Sequence, residues 1–176
     1  RTVVAEYDSL GRAIVAIDAL GQRKEYAYDE VGNLISQKDA NGNVSRYEYD
    51  SLNRQTASVL PLGQRATTTY DAVGNVSAET DFNGTTINYA YDIRDRLSAK
   101  SFPDATSVTY TYTPTGQLNT VTDLRGVTAY AYDNRERLQS RTDPDGGVAR
   151  YTYDAAGNRT SLTAALGSTS QTTTFT

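Results

Sequence analysis

The chain is 176 residues long, carries a net charge of −4, and contains no His, Cys, Trp or Met. Its apolar fraction of 38% lies below the ~45–50% of ordinary domains. Fourteen tyrosines supply much of that fraction, which disfavours a thick aliphatic interior and favours a thin sheet or shell.

Acidic balance and scattered Lys and Arg argue against a nucleic-acid partner. No apolar run approaches the ~20 residues of a membrane-crossing helix, so no membrane span is expected, and no signal peptide is visible. Without His and Cys, hydrolase triads, thiolate nucleophiles and the usual zinc sites are unavailable. Beginning at Arg1 and lacking any Met, the chain reads as a section of something longer.

The first element is a strand ending at Tyr7, followed by Asp8 and, three residues on, Gly11. That phrase sets the period. Anchor tyrosines fall at Tyr7, Tyr28, Tyr49, Tyr70, Tyr91, Tyr112, Tyr132 and Tyr153, at intervals of 21 residues with one of 20. Six carry a second tyrosine two residues earlier, at Tyr26, Tyr47, Tyr89, Tyr110, Tyr130 and Tyr151, so no Tyr lies outside the pattern.

After each anchor comes a first turn. Asp follows at every anchor but one, where Thr113 stands. An Asp here caps a backbone N–H two residues on. The residue three further on needs positive φ, as in a type I turn closed by a G1 bulge. It reads Gly11, Gly32, Asn53, Gly74, Asp95, Gly116, Glu136 and Gly157. Asn and Asp tolerate that conformation best among non-glycines, and Glu136 is expected to be strained.

A second strand follows, then a second turn eleven residues past the anchor: DALG at Asp18, DANG at Asp39, LPLG at Leu60, DFNG at Asp81, FPDA at Phe102, DLRG at Asp123, DPDG at Asp143 and ALG ending at Gly167. The two turn slots hold 12 of 13 glycines, all but Gly147. Pro61, Pro103, Pro114 and Pro144 each take the second turn position, where the negative φ that the proline ring fixes is wanted. The one-residue deletion falls after Gly126, where turn geometry can absorb it.

Two turns per repeat leave two segments of normal strand length, rich in Thr, Val, Tyr and Ile and without helical period. Eight 21-residue repeats therefore predict eight hairpins, an antiparallel all-β meander of about sixteen strands over residues 1–176 as a single array. Phe175 sits near the next anchor position, as if another repeat had begun. In the hairpin register, each anchor faces the residue six positions later: Ala13, Leu34, Gln55, Val76, Leu97, Leu118, Leu138 or Arg159. The earlier tyrosine is expected opposite the residue eight positions after the anchor, a small-residue column of Val15, Ser36, Ala57, Ala78, Ala99, Thr120, Ser140 and Ser161. Such a wide sheet must twist, and so coil or wrap.

YAYDEVGNL, YTYDAAGNR, YDSLGR and DPDG, recurring with this period, resemble the YD repeats of Rhs proteins, teneurins and insecticidal toxin-complex subunits. The resemblance covers Tyr7 to about Gly167. It implies a β-sheet spiralling into a hollow shell or tube, which in bacterial members encloses a toxic C-terminal segment and in animal relatives belongs to an adhesion ectodomain. Some members also carry a chain-cutting core with aspartates and a DPxGL motif; DPDGG at Asp143 lacks the Leu and reads as an ordinary turn.

No catalytic, cofactor-binding or metal-ligating residue stands out. Twelve of 15 Asp lie in the turn slots, whereas a catalytic carboxylate pair should be singular. The nonapeptide calcium-roll pattern is absent. Asn43, Asn75, Asn83 and Asn158 head Asn-x-Ser/Thr triplets, all in or directly after turns. The expected role is structural and non-enzymatic: a shell wall around a polypeptide cargo such as a C-terminal toxin, in a secreted or cell-surface protein. Its partners would be that cargo or neighbouring repeats. The alternative is an extracellular adhesion, fibre-forming or glycan-binding module, with tyrosine rings as a carbohydrate platform.

Overall fold

The structure is a computed structural model that describes residues 4–175; the outermost positions of the expected 1–176 array lie outside the described residues. The chain forms two compact units, one through Ile87 and one from Asn88.

In the first unit, β1 (Val4–Tyr7), β2 (Ala13–Ile17), β3 (Arg23–Tyr28), β4 (Leu34–Lys38), β5 (Val44–Tyr49), β6 (Gln55–Val59), β7 (Arg65–Tyr70) and β8 (Val76–Thr80) pair antiparallel in sequence order. Strand β9 (Thr86–Tyr91) begins at the end of this unit. In the second, residues 88–91 pair with β10 (Leu97–Ser101). Then come β11 (Ser107–Tyr112), β12 (Leu118–Asp123), β13 (Gly126–Tyr132), β14 (Leu138–Thr142), β15 (Val148–Tyr153), β16 (Arg159–Leu166) and β17 (Thr169–Thr174), each antiparallel to the one before.

The all-β meander is thus as expected, with seventeen strands among the described residues where eight hairpins give sixteen. The extra one is β17. A two-residue turn at Gly167 and Ser168 returns the chain along β16, pairing Leu166 with Thr169. Phe175 at its end donates its N–H to the Thr160 carbonyl at 3.0 Å.

Both turn slots close as the sequence predicts. At the first turn of the second repeat, Gly32 N–H donates to Asp29 O and Asp29 N–H to Asn33 O, while Asp29 Oδ1 accepts from Val31 and Asn33 N–H. Twelve glycines have positive φ, Gly147 being the exception. Asn53, Asp95, Ala105 and Glu136 share that conformation at φ 60°, 58°, 64° and 63°, so the strain expected at Glu136 has a second instance at Ala105. An L-residue there costs ~1–2 kcal/mol, offset partly by the ~0.5–1 kcal/mol entropy cost of glycine. Ala105→Gly should accordingly raise the melting temperature by about 1–3 °C, measured by thermal unfolding.

The deletion after Gly126 is absorbed in the turn. Asp123 pairs directly with Gly126 across Leu124 and Arg125, a two-residue loop replacing the bulged one.

One register expectation needs correction. Anchors do face the residue six positions on, as Tyr28 faces Leu34 and Tyr49 faces Gln55. The preceding tyrosine does not face the small column. Tyr26 pairs with Gln37, Tyr47 with Ser58, Tyr89 with Lys100, Tyr110 with Val121, Tyr130 with Arg141 and Tyr151 with Leu162. The reason is a β-bulge. Between the partners of Ala27 and Tyr28 the second strand skips one residue, and the skip recurs in the other hairpins. The extra residue advances every later pair by one and shifts the small column to the other face. There Ala27 faces Ser36, Glu48 faces Ala57 and Thr69 faces Ala78.

The sheet is thin. Among the described residues only Val15, Ala57 and Thr128 are buried. Val15 and Ala57 belong to the small column, and an ion pair crosses above each. Glu6 on β1 meets Arg23 on β3 over the strand of Val15. Glu48 on β5 meets Arg65 on β7 over the strand of Ala57. Small side chains on the middle strand leave room for a long pair spanning three strands.

Candidate functional site

The polar side chains converge not on one centre but on a junction that recurs between neighbouring repeats. Its first member is the anchor hydroxyl. Tyr28 donates to Ala13 O, Tyr49 to Leu34 O, Tyr70 to Gln55 O, Tyr112 to Leu97 O, Tyr132 to Leu118 O and Tyr153 to Leu138 O, all at 2.8–3.0 Å. Each acceptor opens the second strand of the preceding repeat. The half-buried ring thereby gains the polar partner that its hydroxyl requires. At Tyr132 the acceptor is 14 residues back instead of 15, so the bond survives the deletion unchanged at 2.9 Å.

The second member is an arginine that composition alone does not single out. Arg12, Arg54, Arg96 and Arg137 lie five residues after an anchor. Each is ion-paired at 2.6–2.7 Å to the turn Asp of its own repeat: Asp8, Asp50, Asp92 and Asp133. From there the guanidinium covers the anchor ring of the next repeat. Its carbon lies 4.8 Å from the Tyr28 centroid, 4.3 Å from Tyr70, 4.3 Å from Tyr112 and 4.5 Å from Tyr153. Arg12 Nη1 also donates to Asp29 O, and Arg137 Nη1 to Asp154 O, at 3.1 Å. One side chain thus binds its own turn, the next ring and the next turn.

This geometry fixes the protonation of the turn aspartates. Asp50 and Asp133 titrate below the ordinary 3.8 because an arginine side chain and backbone N–H groups hold the carboxylate. Asp92 falls furthest, to about 2, chiefly through the Arg96 hydrogen bond and against partial desolvation. A folded-state value below the unfolded one adds stability above the unfolded value, and that stability is lost as pH falls through the folded one. Acid melts of wild type and Asp92→Asn should diverge above pH ~4 and converge towards pH ~2, the wild type losing the larger share.

Such aspartates are turn caps and ion-pair partners. Asp143, in the DPDGG stretch, does the same: it closes its turn with Gly146 and Gly147 and pairs with Arg141 at 2.6 Å. Among the described residues no three acidic side chains gather as a metal site would require. The braced anchor rings are also poorly suited to stacking on sugars, since their hydroxyls and one face are already engaged. Of the four Asn-x-Ser/Thr asparagines, Asn43, Asn75 and Asn158 bond their turn Asp at Oδ2, and Asn83 occupies an exposed turn tip.

The family model described as the teneurin YD-shell matches residues 2–175. Comparison with curated proteins gives no match. Among solved structures, the Photorhabdus luminescens Tc holotoxin pore, bearing a TccC3 mutation, is 23% identical with a TM-score of 0.72, over 86% of this chain and 9% of that one. A TcdB2-TccC3 crystal structure is 18% identical with a TM-score of 0.77, over 96% of this chain and 12% of that one. The TcdB2-TccC3 structure without its hypervariable C-terminal region gives 18%, 0.76, 96% and 11% in the same order. The chain therefore spans about a tenth of the chains it matches, and at these identities the likeness is one of fold. With tyrosine, aspartate and glycine recurring as a structural junction and a family model matched almost end to end, the chain belongs to the teneurin YD-shell family, within the Rhs and YD-repeat proteins.

Proposed function

We propose that this chain is a non-catalytic stretch of shell wall, a single array over residues 1–176 whose sheet coils with further repeats around a polypeptide cargo. The carrying observation is the repeated junction. Anchor hydroxyls and arginines engage neighbouring repeats, and the turn aspartates hold those arginines from within their own repeat, so the recurring polar groups build a continuous surface. The shell character of the matched family and the toxin-complex origin of the matched structures support the same reading. They also favour a protein that works outside the cell that makes it, with a toxin segment as cargo. A glycan-binding or adhesion role draws no support from the braced anchor rings.

The test uses a polypeptide that carries this segment together with a cargo. Deleting residues 29–70 removes two whole repeats and shortens the wall while preserving its internal order. The cargo should then be digested by added protease several-fold faster than in the intact protein. Equal protection in both proteins contradicts the wall.

A further inference from the structure

One column of the repeat alternates with twice its period, and a second does so from its second member on, Gly11 being the one glycine that this column has in an odd repeat. Five residues after the anchors stand Arg12, Asn33, Arg54, Asn75, Arg96, Gln117, Arg137 and Asn158. One residue earlier stand Gly11, Gly32, Asn53, Gly74, Asp95, Gly116, Glu136 and Gly157. Odd repeats carry the arginine, and every even repeat carries glycine.

The structure explains the coincidence. An arginine leans on the turn of the following, even repeat. A Cβ placed on Gly32 or Gly74 would touch Arg12 or Arg54 Nη1 at ordinary van der Waals distance, 3.8 and 3.6 Å, and one on Gly116 or Gly157 would meet nothing within 4 Å, so the requirement for glycine is set by the backbone and not by lack of space. The even turns also have an opened backbone, with φ of 102°, 102°, 104° and 95° at Gly32, Gly74, Gly116 and Gly157. That lies outside the left-handed basin, at about +60°, that L-residues can enter. The non-glycine odd turns sit inside it, at 60° for Asn53, 58° for Asp95 and 63° for Glu136. Asn33, the short amide of an even repeat, donates to Asn53 Oδ1 on the following turn at 3.0 Å.

We infer that the structural unit of this array is a pair of repeats, and that the wall can be lengthened or shortened only by whole pairs. Within a pair the arginine of the odd member is matched to the glycine turn of the even member. Between pairs the matching is amide to side chain. Removing one repeat brings an arginine against a turn built for an amide.

Two deletions in the 176-residue chain test this. Deleting residues 29–49 removes one repeat, joins Tyr28 to Asp50 and sets Arg12 against the Asn53 turn. Deleting residues 29–70 removes two, joins Tyr28 to Asp71 and sets Arg12 against the Gly74 turn. In an array of equivalent repeats the larger deletion is the more destabilising, because each repeat adds an interface. Pairing reverses the order: the one-repeat deletion should melt at least about 4 °C below the two-repeat one, or fail to fold where the other folds. Adding Asn53→Gly to the shorter deletion should recover most of the loss, while in the intact chain Asn53→Gly should change the melting temperature by under about 2 °C. The proposal is overturned if the shorter deletion is as stable as the longer, or if Asn53→Gly leaves it unimproved.

Discussion

Tyr49→Ala is expected to destabilise the protein by about 3 kcal/mol, within the range for removing a large aromatic. Tyr49→Phe is expected to cost only about 1 kcal/mol, the net worth of one hydrogen bond. The ring of Tyr49 lies against the sheet, and its hydroxyl donates to Leu34 O at 3.0 Å. The alanine variant loses packing and bond together, whereas the phenylalanine variant loses the bond alone and leaves that carbonyl without its partner. At ~2–4 °C per kcal/mol for a chain of this size, thermal melts resolve the two steps. Titration supplies an independent signature. Burial first, then the nearby Asp29 and Tyr47, raise the Tyr49 phenol above its ordinary 10.0. A raised folded-state value means stability that is intact below pH ~10 and declines above it. Tyr49→Phe should remove that alkaline component. If the two variants melt alike and keep the wild-type alkaline profile, the tyrosine is not holding the preceding repeat.

Ala57→Leu should cost about 2 kcal/mol, the usual scale of overpacking. Ala57 is 2% exposed although the sheet has almost no interior. It is covered because Glu48 and Arg65 meet across its strand, and a larger side chain must displace them. The cost should therefore shrink in a Glu48→Gln background, where the pair no longer resists displacement. Urea melts of the four proteins give the interaction directly. Equal costs in both backgrounds would show that the crowding comes from elsewhere. The Glu48–Arg65 pair itself is half exposed, so its own removal should change stability by under about 1 kcal/mol.

Much of this architecture was legible in the sequence because the backbone dictates residue type at the turns. Positive φ selects Gly, Asn or Asp, and the fixed negative φ of proline suits Pro61, Pro103, Pro114 and Pro144 to the second turn position, so turn positions could be read without knowing the pairing. Tyr28 opposite Leu34 followed from the turn alone. Tyr26 opposite Gln37 did not, because a bulge is a backbone event with no residue type of its own: Ile35, Thr56 and Ser77 all occupy the skipped position. The braces were missed for a different reason. Comparing each repeat with the next averages Arg12 with Asn33 and hides their alternation; comparing every second repeat displays it. Strand β17 carries no tyrosine, so a count of anchors passes over it.

Anchor tyrosines bond each repeat to the one before it, and a double-mutant cycle on Arg54 and Tyr70 tests that most directly. The two side chains belong to neighbouring repeats, with the guanidinium 4.3 Å from the ring centroid. Urea unfolding of wild type, Arg54→Ala, Tyr70→Ala and the double variant should give an interaction of at least about 0.5 kcal/mol. The control cycle of Arg54 with Tyr28, whose ring is covered by Arg12 instead, should be additive within about 0.3 kcal/mol. Additivity in the Arg54–Tyr70 cycle would contradict the account.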